Sequence, residues 1–356
     1  MISKCLVFCI GSVGDTVVSV PAFRMLRRHF PNCELHVLQV ALKKEQPLPF
    51  EMLRAAGTAE GFLTYRPFRG RGALRAFFEL KRAIRQGGYK AVAYVAPAER
   101  TPKQVVRDAF FFKWVGLTTQ FGFRMVPPED IARPDKTSKH EALMRCERFI
   151  KDGLTMDPSD FALPLLGVLP EAKAVVDGWL AEHRRGDKPL WAVALDTNQP
   201  AKAWPNERFA EVLSAMKARH DIEFVYVGGP QDREDGAAMA ERVGGLNACG
   251  AFTIPQTVAL LDQTVGYFGL DTGPTHLAAA VGKRCVVISS DHNFLGQWEP
   301  LGDNHENIRH RVPCGGCQSP VCLVEGHPCM MNIQSADVIQ RLSRVIGEEL
   351  ERAQSA

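Results

Sequence analysis

Residues Gly269-Leu270-Asp271-Thr272-Gly273-Pro274-Thr275-His276-Leu277-Ala278-Ala279-Ala280 read as the end of a buried strand, a tight turn and the start of a helix. Val265 to Leu270 supplies the strand, although Gly266 and Gly269 weaken it. Pro274 suits a first helical position, where its missing N–H has no intrahelical partner to lose. Gly282 stops the helix. Such a turn aims the backbone N–H groups of Thr272, Gly273 and Thr275 off a helix N-terminus, a seat for an anion such as a diphosphate. The side chains of Asp271, Thr272 and His276 suit a ribose or a phosphate. An ordinary strand-to-helix connection would use the same residue types, so the rest of the chain has to decide.

A chain of 356 residues exceeds one compact core and suggests two domains. Its 46% hydrophobic and 23% charged content is that of a soluble globular protein, and no apolar run is long enough to span a bilayer. Met1 to Ile10 runs straight into Gly11 and Asp15, which reads as a strand and not as a secretory signal. The expected location is therefore the cytoplasm, where ten cysteines are reduced thiols or metal ligands.

In order, Cys5–Ile10 is a strand, followed by Gly11-Ser12-Val13-Gly14-Asp15 and a helical run from Thr16 to Phe30. Leu35–Val40 alternates as a second strand, so the chain opens with a βαβ unit and a parallel sheet. Residues 41–75 are irregular, rich in Pro and Gly. From Arg66 to Asp108, eleven Lys or Arg, including Arg66, Arg69 and Arg71, face three acids. That balance suggests a solvated helix face or a basic surface for a phosphorylated acceptor or an anionic membrane. Nucleic acid is disfavoured, because aromatics are not interleaved as a stacking platform needs. Strands follow at Lys90–Ala96 and Thr118–Phe123, and a helix at Lys139–Ile150. Periodicity lapses around Leu163–Pro170, which marks a linker.

The second half repeats the pattern. Leu190–Leu195, Ile222–Val227, Val265–Leu270 and Cys285–Ser289 read as strands. They alternate with helices at Arg208–His220, Glu234–Val243 and Ile254–Asp262. The predicted fold class is α/β, with two doubly wound Rossmann-like domains. Residues 1–165 form one, 166–345 the other, with a Cys-rich segment at 314–329 and a tail at 346–356. Ligands of such sheets bind beyond the carboxyl ends of the strands. The loops at 11–15, 196–202, 228–232 and 271–276 all lie there, and facing one another they would line a cleft between the domains.

These residues resemble glycosyltransferase family 9, the heptosyltransferases of lipopolysaccharide synthesis. The resemblance rests on Ile10-Gly11-Ser12-Val13-Gly14-Asp15 with Pro21-Ala22 and an Arg-rich helix ending at Phe30-Pro31. It continues through Lys202-x-Trp204-Pro205, Val227-Gly228-Gly229-Pro230, Asp271 to Ala280, Trp298-x-Pro300-x-Gly302 and Cys329-Met330-Met331-Asn332-Ile333. It implies a GT-B fold, an N-terminal acceptor domain, a C-terminal nucleotide-sugar domain and inversion without a catalytic metal; no Asp-x-Asp occurs in the chain. The chain departs from the family pattern at Asp196-Thr197-Asn198, where many members carry a Pro-Gly turn, and over residues 41–75.

An inverting transfer needs a base at the acceptor hydroxyl and positive charge at the leaving diphosphate. The resemblance assigns the base to Asp15, whose competing role is to cap the helix that follows. Lys202 would neutralise the donor phosphates, helped by Thr197 and by the N–H groups of Thr272, Gly273 and Thr275. Asp271 would bind a hydroxyl or orient His276, and Asp232 or Glu234 would touch the nucleoside. Gly14, Arg66, Arg69 and Arg71 are the acceptor candidates. Cys314-x2-Cys317-x4-Cys322-x6-Cys329 has the composition of a closed Zn or Fe site, structural and without an open coordination position; free thiols or disulfides are the alternatives. The expected partners are a nucleotide-sugar donor, ADP-heptose above all, and an anionic glycolipid or other glycan acceptor, with peripheral contact at the inner membrane. The alternatives are an epimerase-like enzyme of the same fold and a non-catalytic nucleotide-sugar-binding protein. A dehydrogenase is least favoured, since Gly11-x-x-Gly14 lacks the three-glycine spacing.

Overall fold

The computed structural model describes residues 2–40, 49–66 and 72–355. The chain divides into two compact units, one of residues 1–133 with 138–167 and the other of residues 134–137 with 168–356.

The first unit carries β1 (Lys4–Cys9), β2 (Glu34–Val40), β3 (Gly61–Tyr65), β4 (Ala91–Val95) and β5 (Gln120–Phe121) in one parallel sheet of order β3-β2-β1-β4-β5. The chain moves outward from β1 to β3, then returns to the other side of β1 for β4. The order thus reverses between β1 and β4, and the segment after β1 that leads to Asp15 opens at this switch point. Both faces of the central strands are covered: all of β4 is buried, as is β1 after Lys4. Continuous apolar runs such as Ala91-Val92-Ala93-Tyr94-Val95 are what a parallel sheet requires.

The run expected as one helix from Thr16 to Phe30 is two, Val13–Val17 and Val20–His29. Pro21 has no N–H to give the carbonyl of Val17, so the ladder breaks there. The Ser19 hydroxyl donates instead to the Asp15 carbonyl at 2.7 Å. Within the stretch expected to be irregular, a helix forms at Pro49–Ala55 and β3 follows it.

The second unit carries β6 (Leu190–Ala194), β7 (Glu223–Tyr226), β8 (Leu246–Asn247), β9 (Gly266–Leu270), β10 (Arg284–Ser289) and β11 (Glu306–Arg309). They pair in parallel in the order β11-β10-β9-β6-β7-β8. Here the reversal lies between β6 and β9. The closing helix runs Ser335–Ser355, so residues 346–355 continue it and are not a separate tail. Its buried face, Val338, Leu342, Val345 and Ile346, joins one apolar core with Trp191, Phe209, Phe224 and Phe268.

The glycines of β9 are explained by their neighbours. Gly266 pairs with Trp191 across the β6–β9 ladder, and a Cβ on it would meet the buried indole at 2.4 Å. At Gly269 a Cβ would meet the Ala194 carbonyl oxygen at 2.6 Å. The two absences let a full tryptophan and close-packed strands occupy the centre of the sheet. Gly266→Ala should therefore cost about 1–3 kcal/mol through overpacking. A denaturant-unfolding midpoint equal to that of the wild type would contradict this packing.

Candidate functional site

In the second unit the strands adjacent to the switch point deliver their C-terminal loops side by side. β6 leads to Lys202 and β9 leads to Asp271. β10, which flanks β9, leads to Asn293. Lys202 Nζ lies 3.0 Å from Asp271 Oδ2 and donates to the Asp271 carbonyl at 3.2 Å. Asn293 Nδ2 donates to the same Oδ2 at 3.2 Å. His276 Nε2 stands 3.8 Å from Oδ1, with the Trp298 ring edge-on at 6.3 Å. Burial alone would raise the Asp271 carboxyl, but the charges of Lys202, His276 and Arg309 outweigh it and hold its pKa below the ordinary 3.8.

The turn after Asp271 is built as its sequence suggests, with Thr272 as N-cap and a helix at Gly273–Ala280. Pro274 falls at its second position. First-turn amides have no partner inside a helix, so Gly273 and Thr275 offer N–H groups at its positive end. Thr275 is fully buried, and its hydroxyl donates to the Leu270 carbonyl at 2.6 Å. Its side chain therefore pins the turn, leaving the amide as the group it can offer a ligand.

Thr197 and Asp232 sit in neighbouring loops after β6 and β7. The Thr197 amide donates to Asp196 Oδ1 at 2.7 Å, and its Oγ1 accepts from Gln199 N at 3.2 Å. Asp232 Oδ2 accepts from Gly229 N at 2.6 Å. Burial, then the neighbouring Asp196 carboxylate, pushes the Asp232 pKa up despite that bond. The two acids are thus linked at one edge of the loop cluster.

Sequence reasoning missed the support beneath these residues. Arg309 Nη1 donates to the Asn293 carbonyl at 3.1 Å. Asp291, almost fully buried, accepts from Val312 N at 3.0 Å and faces Arg311 Nε at 3.2 Å. Gly316 N donates to the Asp291 carbonyl at 2.7 Å. The segment following β11 is in this way tied to the loop that carries Asn293, and Pro320 O accepts from Ala201 N at 3.1 Å beside Lys202.

The same segment corrects the metal expectation. Among the described residues no group of three or more His, Cys, Asp and Glu side chains is placed to hold a metal ion. Cys314 and Cys317 are exposed, and the Cys322 thiol donates to the Val324 carbonyl at 3.5 Å. Cys329 is buried in the apolar core, 3.5 Å from Ser290 Oγ. All four are free thiols. Four thiols in so short a run could have enclosed a metal, but these lie in different environments, and the free-thiol alternative is the one the structure carries.

In the first unit, Asp15 is the third residue of the helix Val13–Val17 and forms a capping box with Ser12. Oδ2 accepts from Ser12 N at 2.9 Å and Ser12 Oγ at 3.0 Å. Oδ1 accepts from Arg145 Nη2 at 2.8 Å. Arg145 is fully buried, and its Nε also bonds the buried Glu141 at 2.8 Å. Glu141 in turn accepts from Ala98 N, beyond the end of β4, at 2.9 Å. The helix Glu141–Ile150 thus braces the switch point of this sheet through an Arg–Glu pair that the sequence did not single out. Gly14 is buried in the same helix as Asp15, Arg66 is exposed past β3, and Arg69 and Arg71 lie outside the described residues.

Residues 153–327 match the sequence profile of glycosyltransferase family 9 (heptosyltransferase). Over that stretch the chain is similar to glycosyltransferase family 9. A stretch of 111 residues is 33% identical to lipopolysaccharide heptosyltransferase 3 of Escherichia coli, covering 29% of this chain and 31% of that protein. The chain thus matches about a third of the length of that curated relative. The glycosyl transferase family 9 structure from Veillonella parvula DSM 2008 superposes with a TM-score of 0.76 at 18% identity, over 97% of this chain and 98% of that one. The structure of Escherichia coli ADP-heptose lps heptosyltransferase II superposes with a TM-score of 0.70 at 18% identity, over 97% and 99%. At that identity the likeness establishes the fold, which is GT-B with two Rossmann-like domains.

The Asp271 ion pair has a definite pH signature. A carboxylate whose pKa falls on folding adds stability above its unfolded pKa of about 3.9, and that stability is lost as pH falls through the lower folded value. Asp271→Asn removes the term. Wild-type stability should exceed that of the variant at neutral pH, with the gap closing as the solution is acidified below about pH 4. A gap independent of pH in urea titrations would show that Asp271 is not held as a paired carboxylate.

Proposed function

We propose that the protein is an inverting glycosyltransferase that moves a sugar, heptose from ADP-heptose in the first instance, onto a lipopolysaccharide core or a related anionic glycan. The observation that carries this reading is the Lys202 ammonium anchored by Asp271 at the N-terminus of the helix Gly273–Ala280. Two positive features, a cation and a helix N-terminus, converge where β6 and β9 part. A diphosphate leaving group needs that arrangement as its negative charge grows. The ADP-sugar choice is supported by the names of the similar proteins, and the acceptor class by the name of the E. coli relative.

In the proposed step the acceptor hydroxyl oxygen bonds to the anomeric carbon from the face opposite the phosphate. The bond from that carbon to the phosphate oxygen breaks, and its electron pair leaves with the nucleoside diphosphate. The hydroxyl proton passes to Asp15. A carboxylate offers about four acceptor positions, and three donor contacts from Ser12 and Arg145 hold Asp15. One position is left for the acceptor, in an orientation fixed from two sides. Lys202 and the amides of Thr272, Gly273 and Thr275 take the diphosphate, with Thr197 beside them. Asp271 holds Lys202 in place, and His276 steadies Asp271. Asp232 serves the nucleoside. Gly14 with Arg66, Arg69 and Arg71 serves the acceptor side. No metal is assigned to catalysis, and the protein would work at the cytoplasmic face of the inner membrane.

Asp15→Asn should keep donor affinity and lower turnover by about two orders of magnitude or more, the scale of a positioned base; near-normal turnover would remove Asp15 from the mechanism. In a thermal-shift comparison, ADP-sugar should stabilise the wild type by about 3 kcal/mol at a hundred times its dissociation constant. GDP- and UDP-sugars should shift it less, and Lys202→Ala should lose most of the ADP-sugar effect. Equal shifts with all three donors would contradict the ADP-sugar assignment.

A further inference from the structure

The helices Ala73–Gln86 and Pro102–Trp114 of the first unit expose large apolar side chains that its core does not use. Leu74 is 72% exposed, Phe78 53%, Val106 67%, Phe110 69% and Trp114 41%. Residues three and four apart share a helix face, so Leu74 and Phe78 form one stripe and Val106, Phe110 and Trp114 another. Phe77 joins them: its ring stacks on Trp114 at 5.0 Å and lies 5.3 Å from Phe111 and 5.7 Å from Phe78. The outcome is one continuous aromatic surface across two helices.

Its charge is one-sided. The two helices carry Arg75, Lys81, Arg82, Arg85, Lys103, Arg107 and Lys113 against Glu79 and Asp108. Both acids are already paired, Glu79 with Arg75 and Asp108 with Arg107. Lys81 lies over the Trp114 ring at 3.3 Å, and Arg82, Arg85, Lys103 and Lys113 continue along the helices. Aromatic and aliphatic side chains among cations are the composition that seats a protein in the headgroup region of an anionic bilayer. No helix among the described residues is long and apolar enough to cross one.

We propose that this two-helix face is a peripheral docking surface for an anionic lipid bilayer, with Phe78, Phe110 and Trp114 entering the interface and Arg82, Arg85, Lys103 and Lys113 meeting lipid phosphates. The surface contains neither Asp15 nor any donor residue, so the claim stands or falls apart from the transfer reaction.

The test is co-sedimentation of the full chain with vesicles of phosphatidylcholine containing about a third phosphatidylglycerol, beside vesicles of phosphatidylcholine alone. Binding should be strong to the anionic vesicles, at least tenfold weaker to the neutral ones, and reduced by salt. The double variant Phe78→Ser with Phe110→Ser should lower partitioning at least tenfold while leaving the thermal midpoint and nucleotide-induced thermal shift unchanged. Lys103→Glu with Lys113→Glu, which alters no apolar contact, should weaken anionic binding alone. Failure to sediment, or wild-type binding by both double variants, would overturn the proposal. So would a lipid-free dimer that the phenylalanine substitutions dissociate, because a second copy would then cover the face.

Discussion

The ion pair between Lys202 and Asp271 is the constraint on which the second unit of this protein turns. Neither group is comfortable alone: Asp271 is buried, and an unpaired carboxylate there would be strongly penalised. Lys202 relieves that penalty, and Asp271 in return fixes an otherwise flexible four-carbon side chain at the mouth of the switch point. Asn293 and His276 share the same carboxylate. The ammonium is thus held before any ligand arrives, which is what electrostatic preorganisation demands.

A parallel constraint governs the first unit. Arg145 bridges Glu141 and Asp15 with no exposure of its own. Removing either acid would leave a buried guanidinium short of a partner. Asp15 is for this reason both a helix-capping residue and an oriented carboxylate, and the two roles use different lone pairs.

The sequence disclosed the parts whose signals are local. Apolar runs such as Cys5–Ile10 and Leu190–Leu195 gave the central strands. The turn from Asp271 to Ala280 was legible because Thr272, Pro274 and Gly282 each mark a helix boundary. The helix Pro102–Trp114, which was not read from the sequence, opens on a capping box from Thr101 to Gln104, whereas Ala73–Gln86 starts at Gly72 without a side-chain cap. The short edge strands at Leu246–Asn247 and Glu306–Arg309 carry too few residues to show a period. Arg145, Asn293 and Arg309 were illegible for a different reason: each acts through a partner remote in sequence, and only the fold brings the two together. The cysteine run left a metal site, disulfides and free thiols all open, because ligand type and interval say nothing of whether the chain lets the thiols converge.

The central claim is tested most directly by a crystal structure of the protein with ADP bound. A phosphate oxygen should lie within about 2.7–3.2 Å of Lys202 Nζ and of at least one amide among Thr272, Gly273 and Thr275. Phosphates bound elsewhere, with Lys202 still engaged only by Asp271, would contradict it.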